Sequence, residues 1–394
     1  MANRVSIKRK SVKRSNKKPL VISIGTVIIV IAMLIFGFAS GTLEIGDFLG
    51  TPIISPSPSV SVSPSPSTSP VINGEWVDNT LLIGDGINGA TLDIHFIDVG
   101  QGDSILIEFP DGKNMLIDGG DTSNDAKNAV INCLSTEGVS VLDYVMLTHT
   151  DTDHVGSLDD VLDAVSIKNL YIPDITASNG LPNEDTIDGS ISTLAYERFM
   201  DRVLTETYME GSVSTAVNVI CNQGILTITD ELYLMTIYCP EASYYDDINN
   251  NSSAEDKNNM SPTCVLTYAG RVIVLTGDSD EDAEQRFVDY LGTNIVNADV
   301  LKVAHHGGAE SSNQFFLDAI DAEYAIISCG IGNSYDHPRQ AAINRLIASG
   351  VDYILRTDIN SDILLRIDAD SDMEFIVDIY VAYETEIIGA DSIS

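Results

Sequence analysis

The chain has 394 residues and a hydrophobic fraction of 44%, enough for one large folded body or two ordinary ones, which excludes a wholly disordered protein. Acidic residues outnumber basic ones 58 to 21, for a formal net charge of −37 at pH 7. Eight of the basic residues lie within residues 1–19, which hold no acid, so the remainder carries 13 against 58 and stands near −45, a charge that repels polyanions and argues against tight, extended nucleic-acid binding.

In chain order, residues 1–19 read as a basic cytoplasmic tail. Residues 20–40 are apolar or small and uncharged, the length of a transmembrane helix. The basic side stays cytoplasmic, which places the rest of the chain outside the membrane. The segment is then either a lasting single-pass anchor, the favoured reading, or a long signal peptide cut near Phe38-Ala39-Ser40. Residues 41–89 form a Ser/Pro-rich linker, in which residues 51–70 hold six Pro and eight Ser, a composition that resists packing and stays extended. At ~3.1 Å per residue that stretch holds the next domain roughly 60 Å from the membrane.

The body, residues 90–385, alternates two patterns. Strand-like apolar runs at 105–109, 114–117, 144–147, 272–275, 300–304 and 324–328 each precede a turn rich in Gly, Asp, Asn or His. Helical spacing marks 125–134, 157–165, 280–291, 314–320 and 340–349. The mixture predicts an α/β body with helix-covered sheets. Residues 174–215 and 241–261, acidic or rich in Ser and Asn, read as surface excursions. The five cysteines are scattered without a C-x-x-C spacing, so neither a thiolate zinc site nor a disulfide framework is indicated.

The chemistry concentrates at strand ends. The run Leu147-Thr148-His149-Thr150-Asp151-Thr152-Asp153-His154-Val155-Gly156 sets two His and two Asp within six residues. These turn toward one point if a strand ends at Thr148 and a helix begins near Ser157, a loop able to hold two cations. Asp118, Asp278 and the pair His305-His306 likewise follow apolar runs, and His337 precedes Pro338. Five of the six histidines thus fall in three short clusters.

Together these residues resemble the metallo-β-lactamase superfamily and, within it, the extracytoplasmic β-lactamase-like domain of the DNA-uptake competence family ComEC. The resemblance rests on His95-Phe96-Ile97-Asp98-Val99-Gly100-Gln101-Gly102-Asp103, Leu116-Ile117-Asp118-Gly119-Gly120, the His149 run, Leu275-Thr276-Gly277-Asp278, Leu301-Lys302-Val303-Ala304-His305-His306-Gly307-Gly308 and residues 333–338, in order over roughly residues 90–370. It implies an αββα sandwich with a metal centre at one edge. Two departures remove imidazole from the first metal site: Asp151 stands where the superfamily motif has a second His, and no histidine occurs between His154 and His305.

Carried over, the resemblance gives His149 and Asp151 to one metal and Asp153 and His154 to the other. Asp278 bridges and His305 completes the second site, while His306 acts as proton donor or phosphate contact, with the reverse assignment of the two histidines left open. Asp153, His306 and His337 are the expected catalytic groups. Asn259 and Ser261 are candidates to fill the place of the missing His. Asp98, Asp103 and Asp118 are expected to orient ligands, Gly100, Gly102, Gly119 and Gly120 to shape turns, and Lys302, Arg339 and Arg356 to contact phosphate. The cofactors implied are two divalent metal ions, Zn²⁺ or Mn²⁺, the carboxylate-rich donor set making Mn²⁺ competitive; no organic cofactor is implied.

Such a centre suits phosphodiester hydrolysis by hydroxide generated at neutral pH. The leading expectation is a cell-membrane, single-pass phosphodiesterase or nuclease with its catalytic domain outside and DNA as a candidate substrate. The alternatives are a cell-wall or phosphorylcholine-type phosphodiesterase, and a catalytically silent binding module of the same fold.

Overall fold

The computed structural model describes residues 3–9, 90–175, 193–245, 255–370, 372–379 and 388–389. The expected transmembrane helix and Ser/Pro-rich linker lie outside these residues. Among those described, no helix is long and apolar enough to cross a membrane.

The strands in chain order are β1 (Asn3–Arg9), β2 (Thr91–Phe96), β3 (Ile105–Glu108), β4 (Asn114–Ile117), β5 (Val141–Met146), β6 (Ser166–Ile172), β7 (Thr207–Glu210), β8 (Val213–Ala216), β9 (Asn218–Cys221) and β10 (Ile225–Thr229). They continue with β11 (Tyr233–Tyr238), β12 (Thr263–Tyr268), β13 (Arg271–Leu275), β14 (Val300–Lys302), β15 (Tyr324–Ile327), β16 (Tyr353–Arg356), β17 (Ile363–Asp368), β18 (Met373–Ile379) and β19 (Ile388–Gly389). One sheet has the order β1-β18-β17-β2-β3-β4-β5-β6-β9 and the other β10-β11-β12-β13-β14-β15-β16-β19, while β7 and β8 form a separate hairpin.

Side-chain alternation sorts each strand between two faces. Phe96, Ile107 and Ile117 from the first sheet meet Met235, Leu266, Ile273 and Ile326 from the second in one buried core. On the outer face of the first sheet, Leu106, Leu116 and Val145 pack against Val130, Val161 and Phe199 of the helices Asn124–Thr136, Leu158–Ala164 and Leu194–Val203. On the outer face of the second, Val274, Leu301 and Ala325 pack against Phe287, Phe316 and Leu346 of Glu281–Leu291, Gln314–Ile320 and Gln340–Ala348. The layers therefore read helix, sheet, sheet, helix, as expected of an αββα body. Each fully buried Phe, Leu or Ile contributes about 1.5–3 kcal/mol to this packing. The cysteines are free thiols throughout.

Three expectations change. The helix Leu194–Val203 falls inside a stretch read as a surface excursion, yet it buries Ala195, Tyr196, Phe199, Met200 and Val203 behind an N-cap at Thr193. Residues 259–261, assigned to the second excursion, are buried as well. Finally, β1 lies within the presumed cytoplasmic tail but pairs antiparallel with β18, from Asn3 opposite Ile379 to Arg9 opposite Met373. A tail held across a bilayer from the body could not make that ladder, so the pairing and single-pass anchoring exclude each other in one molecule.

Parallel pairing matters most for the site. β4 and β5 run parallel, as do β13, β14 and β15. Their carboxyl ends therefore emerge side by side in each sheet, and these ends carry Asp118, the His149 run, Asp278 and the His305-His306 pair.

Below the His305-His306 turn, the buried carboxylate of Glu284 accepts the backbone N–H of Ser312, and that of Asn313 at 2.9 Å. Burial pushes its pKa up to about 7, the donors from Asn313 and Ser312 offsetting only part of that rise. An acid whose folded pKa is raised contributes stability that is full below its unfolded pKa and lost as pH rises through the folded one. At ~1.4 kcal/mol per unit, the loss between pH 4.5 and about 7 is about 3 kcal/mol. Urea unfolding at pH 5 and pH 8 should show wild type losing this stability relative to Glu284→Gln; parallel pH dependence of the two would refute the assignment.

Candidate metal centre

The strand-end residues are fastened before they are functional. Asp118 adopts a left-handed backbone (φ 58°) directly after β4. Its buried carboxylate accepts the Thr148 N–H at 2.8 Å and the Thr148 hydroxyl at 2.7 Å, tying the end of β4 to the start of the histidine run. The single helical turn Thr152–Val155 then carries Asp153 and His154. Gly102 (φ 128°) lies so close that a Cβ there would stand 2.2 Å from the Asp153 carbonyl oxygen, and the neighbouring Asp103 N–H donates to that oxygen at 3.2 Å. A side chain at position 102 would force the motif loop outward.

Three imidazoles are oriented by the same device. His154 Nδ1 donates to Asp118 at 2.8 Å, and His306 Nδ1 donates to the Ser328 carbonyl at 2.9 Å. His149 Nδ1 lies 3.1 Å from the Thr148 hydroxyl, whose own proton is committed to Asp118. With Nδ1 serving as donor, each ring turns its Nε2 lone pair inward. The three Nε2 atoms surround Oδ2 of Asp278 at 4.0 Å for His149, 3.2 Å for His154 and 3.3 Å for His306, and His306 Nε2 is also 3.4 Å from Asp153.

These Nε2 atoms and Asp278 Oδ1 are buried and lack a hydrogen-bond partner. Buried polar atoms left unmatched are costly, and here they converge from several elements, as ligands to a cation do. Asp153, His154 and His306 bring one ligand atom each within 4.8 Å of one another, as do His149, His154 and Asp278. The mixed imidazole and carboxylate set fits a divalent ion of the Zn²⁺ or Mn²⁺ kind.

The electrostatics point the same way. Burial opposes charge on His154 and His306, but Asp278 beside both, with Asp118 at the first and Asp103 at the second, holds each imidazole well above its ordinary pKa. Burial likewise opposes charge on Asp278, which His154 and His306 nonetheless hold well below the usual carboxylate range. The cavity thus favours positive charge at the place where a cation fits. His149, by contrast, is pushed down by burial and by His154.

The two adjacent histidines sit the other way round from the expectation that made His305 the ligand. Both have left-handed backbones, φ 49° and 54°. His306 is 1% exposed and points into the centre, whereas His305 is 30% exposed, its Nε2 3.9 Å from Asp278 and its Nδ1 3.1 Å from Asp280. His337 stands over both, its ring 5.5 Å from that of His305 and 6.1 Å from that of His306. Burial and the two neighbouring histidines push its pKa down to about 4.

Residues 97–207 match the family described as "Metallo-beta-lactamase superfamily". The chain is 28% identical over 290 residues to "ComE operon protein 3" of Bacillus subtilis (strain 168), covering 70% of this chain and 33% of that protein. It is 27% identical over 270 residues to "Competence protein ComA" of Neisseria gonorrhoeae, covering 67% of this chain and 30% of that one. This part of the chain is similar to the metallo-β-lactamase superfamily, and the chain resembles the competence proteins. It spans about a third of the length of these curated relatives. Among solved structures, "Crystal Structure of a New Diphosphatase from the PhnP Family" aligns over 68% of this chain and 94% of that one at 12% identity, with a TM-score of 0.36.

Of the other residues expected at the site, some border the centre and others are engaged elsewhere. Asp151 lies 3.8 Å from His149 Nε2. Asp103 approaches His306 Nδ1 at 3.3 Å and pairs with Lys302 at 2.7 Å. Lys302 is therefore a buried partner of Asp103 and has no access to a phosphate. Arg339 and Arg356 are engaged by Asp336 and Asp358. Asn259 does not face the centre, because its side chain accepts the Ala283 N–H at 2.9 Å; Ser261 accepts the Asp278 N–H at 3.1 Å and supports His149 from behind at 3.4 Å. Sequence reasoning missed Thr148, Asp280 and Lys257, whose ammonium pairs with Asp151. The only signal for Lys257 was a lone cation in an acidic stretch two residues before Asn259.

Asp118 makes a direct test of this support. Asp118→Asn turns an amide N–H₂ toward either Thr148 or His154, and the affinity for Zn²⁺ should fall about 10–100-fold. Competition against a chromophoric chelator reads the loss, with far-UV circular dichroism to verify the fold; unchanged affinity would show that Asp118 does not orient a ligand.

Proposed function

We propose that the chain is a metal-dependent phosphodiesterase whose catalytic domain works on the outer face of a membrane. The observation that supports it best is the convergence of three unpartnered imidazole nitrogens on Asp278, one of them also beside Asp153. Asp153, His154, His306 and Asp278 would hold a divalent ion, with His149 and Asp151 beside them. Such an ion supplies Lewis acidity, lowers the pKa of water and neutralises charge developing on phosphoryl oxygens.

The remaining chemistry belongs to the chain. His305, held by Asp280 at the exposed rim, has the access needed to exchange a proton with a leaving oxygen. His337, its pKa pushed down to about 4, is a neutral imidazole at pH 7 and is suited to accept a proton. His306 is committed at Nδ1 to Ser328 and at Nε2 to the centre, which leaves it no free role as a proton donor.

The substrate reading is narrower. Lys302 is buried, and Arg339 and Arg356 face aspartates, so these three cations form no track for an extended polyanion. With the body near −45, a compact phosphodiester, including the accessible end of a nucleic acid, suits the site better than a long duplex. One observation favours the phosphorylcholine-type alternative: Tyr335 is 54% exposed and stacks on His337 at 5.6 Å, an aromatic face at the rim able to receive a quaternary ammonium.

Hydrolysis of single-stranded DNA, double-stranded DNA and a phosphorylcholine ester by the purified protein, with Mn²⁺ or Zn²⁺ and beside Asp153→Ala, decides among these readings. Turnover of at least one ester is expected, reduced more than ~100-fold in the variant, the order expected when electrostatic stabilisation is lost. A variant as active as its parent sinks the site assignment, and inertness with both metals supports the silent binding module.

Anchoring through residues 20–40 would require the β1–β18 ladder to be absent, and it has its own test. In an anchored chain, protease added to intact expressing cells would remove the body and leave residues 1–19 protected. Cleavage of both together would favour the β1–β18 pairing over a cytoplasmic tail.

A further inference from the structure

The two sides of the centre are unequally furnished. Asp153, His154 and His306 offer two imidazoles beside Asp278, while the opposite side has His149 alone with Asp151. Asp151 is also occupied: its Oδ1 takes the ammonium of Lys257, a side chain only 16% exposed.

That lysine is placed by its backbone. The turn Glu255–Asn258 presents it, with the Met260 N–H donating to the Lys257 carbonyl at 3.0 Å and the Ser261 N–H to the Asn258 carbonyl at 2.9 Å. The Asn258 side chain donates to Asp280 at 2.9 Å, and the Arg286 guanidinium donates to the Asn259 carbonyl at 2.7 Å. Met260 is fully buried. The segment is thus pinned to the same loops that carry Asp278 and His305, which fixes where the ammonium can reach.

We propose that Lys257 takes the place of a second metal ion: the centre binds one divalent cation through Asp153, His154, His306 and Asp278, and the ammonium supplies the positive charge beside Asp151. An ammonium on Asp151 uses the charge that would make this carboxylate a ligand. It also repels a dication at the distance where His149 and Asp151 would bind one. The inference deepens the metal-dependent reading above and rests on it for the identity of the first ion, but it concerns stoichiometry and not turnover.

The full chain, stripped with chelator and dialysed against excess Mn²⁺ or Zn²⁺, should retain one ion per chain by elemental analysis. Lys257→Met, which keeps length and removes charge, should retain two, the second at least ten times more tightly than any second ion in wild type. Lys257→Arg and Asp151→Ala should both stay at one, and His306→Ala should lose the tight ion. Two tightly bound ions in wild type, or one in a folded Lys257→Met, would overturn the proposal. Should Lys257→Met not fold, Asp151→Ala decides: a fall from two ions to one refutes the proposal, and one ion before and after supports it. One ion with no hydrolysis of any ester would leave this inference standing and remove the hydrolase reading; two ions with full hydrolysis would do the opposite.

Discussion

A single carboxylate oxygen, Oδ2 of Asp278, lies within 4.0 Å of nitrogens from His149, His154, His305 and His306. Nothing local in the sequence brings these five residues together. Asp278 follows β13, the histidine pair follows β14, and the His149 run follows β5 in the other sheet. The two sheets must therefore pack face to face with their parallel strands ending at the same edge. The core of Phe96, Ile107, Ile117, Met235, Leu266 and Ile273 sets that face-to-face contact, so the apolar alternation of the strands is what gives the centre its geometry.

The fold was largely legible because its signals are local. Alternation at 105–109 and 114–117 and helical spacing at 314–320 are properties of adjacent residues, and β3, β4 and the helix Gln314–Ile320 follow them closely. The helix Leu194–Val203 is hidden by the composition around it. Its flanks are rich in Ser, Asp and Asn, yet Ala195, Tyr196, Phe199, Met200 and Val203 repeat at helical spacing. The position of β1 was illegible for another reason, since its partner is β18, at the far end of the chain.

At the centre, the His149 run announced itself, while the order of His305 and His306 did not. Strand alternation does not decide it: Val300 packs into the inter-sheet core and Lys302 reaches Asp103, but β14 ends at Lys302 and both histidines lie in the turn Ala304–Gly307 beyond it. The left-handed backbones at His305 and His306 then turn His305 out to the rim. Lys257 was beyond reach for a comparable reason: its meeting with Asp151 depends on a turn anchored by Asn258 and Arg286, neither of which carries a metal-site signature.

The buried pair of Lys302 and Asp103 shows how stability and function divide in this body. Removing two charges from water costs several kcal/mol per ion, and apolar residues of similar volume often replace such a pair without loss of stability. A contribution to stability alone therefore explains it poorly. Its position explains it better. Asp103 is anchored through its backbone to the Asp153 carbonyl and through its carboxylate to Lys302, and it lies 3.3 Å from His306. The pair joins a loop of the first sheet to β14 of the second at the point where both deliver ligand candidates. With Lys302 neutralising it, Asp103 can remain ionised in a buried place, where burial alone would raise its pKa and Lys302 and His306 together bring it down. The centre thus has a fixed ammonium at each flank, Lys302 behind His306 and Lys257 on Asp151, and the carboxylates left to a mobile cation are those between them, Asp153 and Asp278.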